Sequence, residues 1–285
     1  MGNRGAATVK TYGLKSDILV HGNEELKEIA LTIDDGPRPD LTREFLNVLG
    51  SHNVRATFFV VGKQVNLYPG LVRRMINEGH EVANHTHTHE RLPKLTEEGI
   101  RKQIAECNHA VLAATGSQTN LFRPPGMEYN ESVLRIAQEL GYVTVHWNVA
   151  AQDYQPHMDP KLIARKILAK TSNGSVILLH NHPDTLKAMP EILDGLTKRG
   201  YRFVTVSQML GRLPRPVYVR TNSFAPLSPL PETTTAPKSE AIAKTTKPKP
   251  NRPNRRPLPD APKRTLSETR QERPSVVDVP TWQGH

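Results

Sequence analysis

The amino-acid sequence predicts an α/β fold built on a parallel sheet, and three observations carry that prediction. Short apolar runs alternate with stretches of helical spacing. Gly79, Gly141 and Gly200 stand where helices should stop. The residues with most chemical potential fall at or directly after the apolar runs. In order, the first strand candidate, residues 28–33, is an apolar run closed by Asp34-Asp35-Gly36-Pro37. The second, residues 56–61, reads Ala56-Thr57-Phe58-Phe59-Val60-Val61 before Gly62. The third, residues 81–84, follows Gly79 and runs into a histidine cluster. Residues 121–123 precede Pro124-Pro125, and residues 142–147 follow Gly141. Residues 175–180 form an apolar run ending at His180, and residues 203–206 follow Gly200. Helical spacing occupies residues 40–52, 71–78, 97–116, 131–140, 160–171 and 185–199. About seven such units suit a barrel, which carries its chemistry at the C-terminal ends of its strands. An open doubly wound sheet gives the same alternation.

Two clusters carry the chemistry. Asp34 and Asp35 stand side by side at a strand end, before a Gly-Pro turn. Neighbouring strand residues point to opposite faces, so the pair is expected to divide its labour. Two adjacent buried carboxylates are costly unless a cation or hydrogen-bond donors offset them. The second cluster is Asn84-His85-Thr86-His87-Thr88-His89. His85 and His89 stand four apart, which on a helical turn, or a loop that closes like one, lets two imidazoles converge on one ion. His87 falls between them and points elsewhere. With an Asp from the strand end, the set is a His-His-Asp site with open positions, an arrangement suited to catalysis.

The order Thr32-Ile33-Asp34-Asp35-Gly36-Pro37, His85-Thr86-His87-Thr88-His89, Phe122-Arg123-Pro124-Pro125-Gly126 and Leu178-Leu179-His180 resembles the NodB-type polysaccharide deacetylases, carbohydrate esterase family 4. The resemblance runs from about Lys27 to Leu210. It implies a distorted (β/α) TIM-like barrel of fewer than eight strands and a metal-dependent hydrolase. The expected reaction removes N-acetyl groups from GlcNAc- or MurNAc-containing polysaccharide, peptidoglycan or chitin-like oligomers. O-acetyl xylan esterase activity and non-catalytic wall-glycan binding are the alternatives.

The resemblance also assigns roles. Asp34 matches the general base and His180 the general acid. Asp35, His85 and His89 match the ligands of Zn²⁺, or of another divalent ion such as Co²⁺ or Ni²⁺. Arg123 matches the group that orients the base, and Asp153 the partner of the acidic histidine. Leu179 matches the lining of the acetyl pocket, while Pro125, Gly126 and Tyr154 are expected along the substrate groove. The chain departs from the pattern in three places. Gly126-Met127 stands where an aromatic residue often follows Arg-Pro-Pro. Ala150-Ala151-Gln152-Asp153-Tyr154 loses the first Asp of an Asp-x-x-Asp-Trp pattern and exchanges its Trp, and Asn181 replaces a common Asp. None removes a metal ligand, the base or the acid. They bear on substrate choice.

Composition divides the chain. Its 285 residues carry a net charge of +10, and Pro recurs among Lys, Arg, Ser and Thr from Arg215 onward. The expected organisation is an N-terminal extension (1–26), a deacetylase-like domain (27–212) and a Pro-rich basic disordered tail (213–285). The tail's charge suits an anionic envelope polymer. Its scarcity of aromatic residues, with Trp282 near the end, argues against nucleic acid. Cys107 is the sole cysteine, so no intrachain disulfide forms. No apolar run approaches a membrane span, and the first residues show no signal-peptide core. A monomer is expected. Wall glycan as substrate would place the protein outside the cytoplasm, although the cytoplasm stays open on the sequence alone.

Overall fold

The computed structural model describes residues 18–213. Nine strands form one sheet: β1 (Ile18–Leu19), β2 (Glu28–Gly36), β3 (Thr57–Val60), β4 (Glu81–Asn84), β5 (Leu121–Phe122), β6 (Val143–Val145), β7 (Val149–Ala150), β8 (Val176–His180) and β9 (Arg202–Val204). Their order is β1-β6-β5-β4-β3-β2-β8-β7, every pairing is parallel, and β9 joins the first residues of β2. The sheet curls into a half-barrel with β1 and β7 at its two ends, so the distorted barrel is the architecture observed. All seven expected strands are present. The two additional ones, β1 and β7, are two residues long, too short for any periodicity to mark them. β1 pairs with β6, so the described sheet takes in residues ahead of residue 27. The expected tail, apart from Leu213, lies outside the described residues.

Alternation along the strands separates two apolar layers. Ile29, Leu31 and Ile33 of β2 and Phe58 and Val60 of β3 pack outward. They meet Phe45, Leu46 and Leu49 of α1 (Leu41–Ser51) and Met189, Ile192 and Leu196 of α7 (Pro183–Lys198). Ala30, Phe59, Ala83, Leu121, Val145 and Val176 fill the inside of the curl. The remaining helices are α2 (Gly62–Leu67), α3 (Pro69–Asn77), α4 (Glu97–Thr115), α5 (Glu131–Glu139), α6 (Pro160–Lys170) and α8 (Val206–Leu210). The sequence reading missed α2 and α8, each under two turns, and ran the last strand into residues that open α8. The expected helix at residues 185–199 starts two residues earlier, with Pro183 at its first turn, where a missing N–H costs nothing. Among the described residues no helix is long and apolar enough to cross a membrane.

Cys107, on the inner face of α4, is fully buried. Its thiol donates to the Val60 carbonyl at 3.3 Å, and burial pushes its pKa up to about 12. It is a packing residue. Gly62 is fixed by the same contact: a Cβ there would lie 2.6 Å from His87 Nδ1 and 2.8 Å from Cys107 Cα. Gly62→Ala should cost about 1–3 kcal/mol through overpacking. Chemical denaturation checks this, with a lowered midpoint as the expected outcome.

Candidate active site

The C-terminal rim of the half-barrel collects the candidate residues, each delivered by a separate local device. Asp34 ends the regular part of β2, and its carboxylate points into the curl, 3% exposed. The next residue breaks alternation. The register with β3 slips between Asp34 and Gly36, so Asp35 is an inserted bulge residue with φ 72°. Asp is among the residues that tolerate this left-handed region. The two carboxylates therefore do not diverge to opposite faces as the sequence reading expected. His85 Nε2 lies 3.7 Å from Asp34 Oδ2 and 3.4 Å from Asp35 Oδ1.

His85 and His89 come from the loop after β4, not from a helical turn. Thr86 and His89 hold positive φ values of 67° and 62°. The loop has no periodic structure, so its peptide groups are tied elsewhere. The N–H groups of Gly62 and Lys63, which open α2, donate to the carbonyls of Thr86 and His87 at 3.0 and 2.9 Å. Gln103 of α4 accepts from the His87 and Thr88 N–H groups at 3.0 and 2.9 Å. Asn84 accepts from the Thr86 N–H at 2.9 Å and donates to the Ile104 carbonyl at 2.8 Å. The two rings meet edge to face with centroids 5.0 Å apart. His87 turns away toward Gly62, as expected.

Asp35 Oδ1 is buried without a hydrogen bond, 3.1 Å from His89 Nε2 and 3.4 Å from His85 Nε2. His85 Nδ1–H donates to the Arg123 carbonyl at 2.7 Å, so in the neutral ring Nε2 presents a lone pair to Asp35. Burial pushes the Asp35 carboxyl up, but its interactions with His85 and His89 pull it well below the usual carboxylate range. Ligand atoms of Asp35, His85 and His89 all lie within 4.8 Å of one another. Ligands held at 2.0–2.1 Å around a tetrahedral ion stand about 3.3 Å apart, close to the two shorter separations here. Two imidazoles and one carboxylate also form a borderline-soft donor set that suits a divalent transition-series ion. The residues fit a metal. The Asp35 and His89 side chains are 40% and 43% exposed, which leaves that side open to water or substrate.

Arg123 follows β5 directly and fills the inside of the curl, fully buried. Nη1 donates to Asp34 Oδ1 at 2.7 Å and Thr32 Oγ1 at 2.9 Å. Nε and Nη2 donate to the carbonyls of Val145 and His146 at 3.0 and 3.1 Å. Its guanidinium carbon lies 4.1 Å from the centre of the Phe59 ring. Across the rim, His180 is the strand partner of Asp34. Its Nδ1 bonds Asp153 Oδ1 at 2.9 Å, while the other oxygen of Asp153 accepts from the His180 N–H and the Thr185 hydroxyl, both at 2.7 Å. Asp153 is fully buried and both its oxygens accept hydrogen bonds. Burial pushes the His180 imidazolium down, but the hydrogen bond and charge of Asp153 outweigh it and raise the pKa to about 9.

Tyr154 presents a ring 58% exposed, its centroid 5.5 Å from that of His180. Pro125 and Gly126 form a short turn after Arg123, with Gly126 at φ 61°. Leu179 does not line the site. It is fully buried among the outward-facing residues against the helices, whereas Leu178, two before His180, shares the inner face and lines the cleft beside it. Period-two alternation from His180 would have found Leu178, and the same step back from Asp34 would have found Thr32. Gln103 carried no sequence signal, since its role depends on where α4 packs.

The polysaccharide deacetylase family model matches residues 21–145. A peptidoglycan-N-acetylglucosamine deacetylase of Bacillus cereus is 34% identical over 212 residues, covering 73% of this chain and 77% of the relative. This chain belongs to the polysaccharide deacetylase family. Another member of the family, the peptidoglycan-N-acetylglucosamine deacetylase PgdA of Listeria monocytogenes, is 37% identical over 186 residues, 65% of this chain. The chain spans about two fifths of that relative's length, 39%. The crystal structure of the Bc1960 peptidoglycan N-acetylglucosamine deacetylase superposes with a TM-score of 0.66 at 34% identity, over 68% of this chain and 93% of that one. Members of the family are metalloenzymes as a class, in keeping with the donor set found here. When a divalent ion such as zinc is offered, a His85→Ala/His89→Ala variant should fail to retain through dialysis the ion that the wild-type protein holds, as metal analysis would show. Full zinc retention in that variant would put the ion elsewhere.

Proposed function

We propose that this polysaccharide deacetylase hydrolyses the N-acetyl groups of GlcNAc- or MurNAc-containing glycan, with peptidoglycan as the substrate class its relatives favour, and acts at the cell envelope. One observation carries the reading. Asp34 and His180 are direct strand partners on one rim, each held by its own buried partner, and they flank the converging Asp35, His85 and His89. A binding protein has no use for a held base and a held acid on either side of a metal-ready cluster.

A divalent ion on Asp35, His85 and His89, with zinc as the proposed identity, would supply a Lewis acid for the acetyl carbonyl and a water of lowered pKa. Asp34 would accept a proton from the attacking water through the oxygen that faces His85, since its other oxygen is occupied by Arg123. Arg123 cannot lose its proton or rotate away from four acceptors, so Asp34 is aimed by a rigid partner. His180, with Nδ1 committed to Asp153, donates from Nε2 to the departing amine nitrogen. Tyr154 offers a flat exposed face for a sugar ring beside that proton donor.

Asp34→Asn should leave metal content intact while cutting kcat by about 10²–10⁴-fold, the usual worth of a general base. Steady-state kinetics on acetylated oligomers, with metal analysis of the same sample, tests this. Turnover close to wild type would remove Asp34 from the chemistry. The acid limb is testable separately. His180 donates only while protonated, and its raised pKa keeps it so until pH passes about 9, so activity should fall through that value as pH rises. Asp153→Asn removes the interaction that raises the pKa and should move this limb toward lower pH. A limb that stays in place would assign the acid to another group.

A further inference from the structure

We infer that the cleft beside His180 is a subsite for the carboxylate of an acidic glycan, read by Lys166 and Lys170. The cleft measures about 480 Å³ and shares Asp153 and His180 with the site, while its far wall is formed by the last two turns of α6. Lys166 and Lys170 stand four apart on that helix, hence on one face, and both line the cleft. Lys166 Nζ donates to the Ala151 carbonyl at 3.2 Å. Neither ammonium lies within 4.0 Å of a carboxylate among the described residues. Some cations among the described residues are paired, as Arg74 is with Glu78 and Lys187 with Asp184, and others are not; what sets Lys166 and Lys170 apart is that both line one cleft. Asp153 is the sole carboxylate in the lining, and both its oxygens are taken by His180 and Thr185. The cleft thus carries two ammonium groups with no internal counter-charge, beside the group proposed to protonate the leaving amine.

A neutral N-acetylglucosamine polymer has nothing to offer this charge. A glycan bearing lactyl or peptide carboxylates has, and a sugar stacked on Tyr154 would bring such a group toward the helix. The inference rests on the deacetylase reading and narrows its substrate: anionic, peptidoglycan-like strands over chitin-like ones. Such a pair of partly exposed charges acts mainly through affinity and encounter, and its effect fades as salt shortens the screening length.

The test compares kcat/KM for a tetrasaccharide of alternating GlcNAc and MurNAc with free lactyl carboxylates against the same tetrasaccharide with those carboxyls reduced to alcohols. At low salt the wild-type zinc enzyme should prefer the acid form by about tenfold. The preference should reside in KM and shrink in about 0.5 M salt. Lys166→Gln/Lys170→Gln should bring the ratio close to one. Lys170→Gln alone, at an exposed position with no partner to lose, should lower it severalfold without touching the fold. Equilibrium binding of the acid form to the catalytically silenced Asp34→Asn protein should weaken in parallel when the lysines are replaced. An unchanged ratio in both lysine variants would overturn the subsite. Loss of turnover on both tetrasaccharides already in the wild type would instead overturn the deacetylase reading, and the subsite with it.

Discussion

The fold turns on a single buried guanidinium. Arg123 has no exposed surface, and burial lowers its pKa while Asp34 raises it again, so the group is tolerable there only because its donors are matched. Those matches bind the Thr32 and Asp34 side chains of β2 to the backbone at the end of β6, across the inside of the curl, with Phe59 beneath the guanidinium plane. The same residue's own carbonyl fixes the His85 ring. One residue, through its side chain and its carbonyl, therefore sets the base, one metal-facing imidazole and the spacing of distant strands. Removing it would leave Asp34 buried without its partner, an omission that typically costs about 3–5 kcal/mol.

The second constraint is backbone, not side chain. A regular strand would send Asp35 to the outer face, among Ile33, Phe58 and Phe45. The extra residue at the bulge instead returns it to the side where His85 and His89 converge. Positive φ values at Asp35, Thr86 and His89 show both halves of the cluster held in a sparsely populated conformation. Such conformations persist when surroundings over-determine them. Here the first turn of α2, together with Gln103 and Asn84, accounts for the loop's polar groups and supplies that determination.

How far the sequence was legible follows from these devices. Strands and long helices were readable because apolar periodicity is local, and Asp34, Asp35, His85, His89, Arg123, Asp153 and His180 were readable because their motifs recur in order. Their convergence was not derivable from spacing alone. Strict alternation gives the wrong face for Asp35, because a bulge replaces regular structure there, and of the two backbones open to His85 and His89, a helical turn or a loop that closes like one, the structure has the loop. Leu179 was displaced by one residue for the opposite reason: β8 is regular there, and alternation, had it been followed from His180, selects Leu178. The short strands β1 and β7 and the helices α2 and α8 exist through tertiary pairing and packing, which no local pattern encodes. Lys166 and Lys170 carry no mark in the sequence, because only the packing of α6 makes them a wall of the cleft.

The central claim is that this rim carries out metal-dependent removal of acetyl groups from amino sugars. The most direct measurement is acetate released from N-acetylated peptidoglycan fragments, matched against free amine formed, by the protein as purified, after chelation and after zinc is restored. The account predicts equal acetate and amine, loss of both on chelation and recovery with zinc. No acetate from the zinc-loaded protein, or release that persists after the metal is stripped, would contradict it.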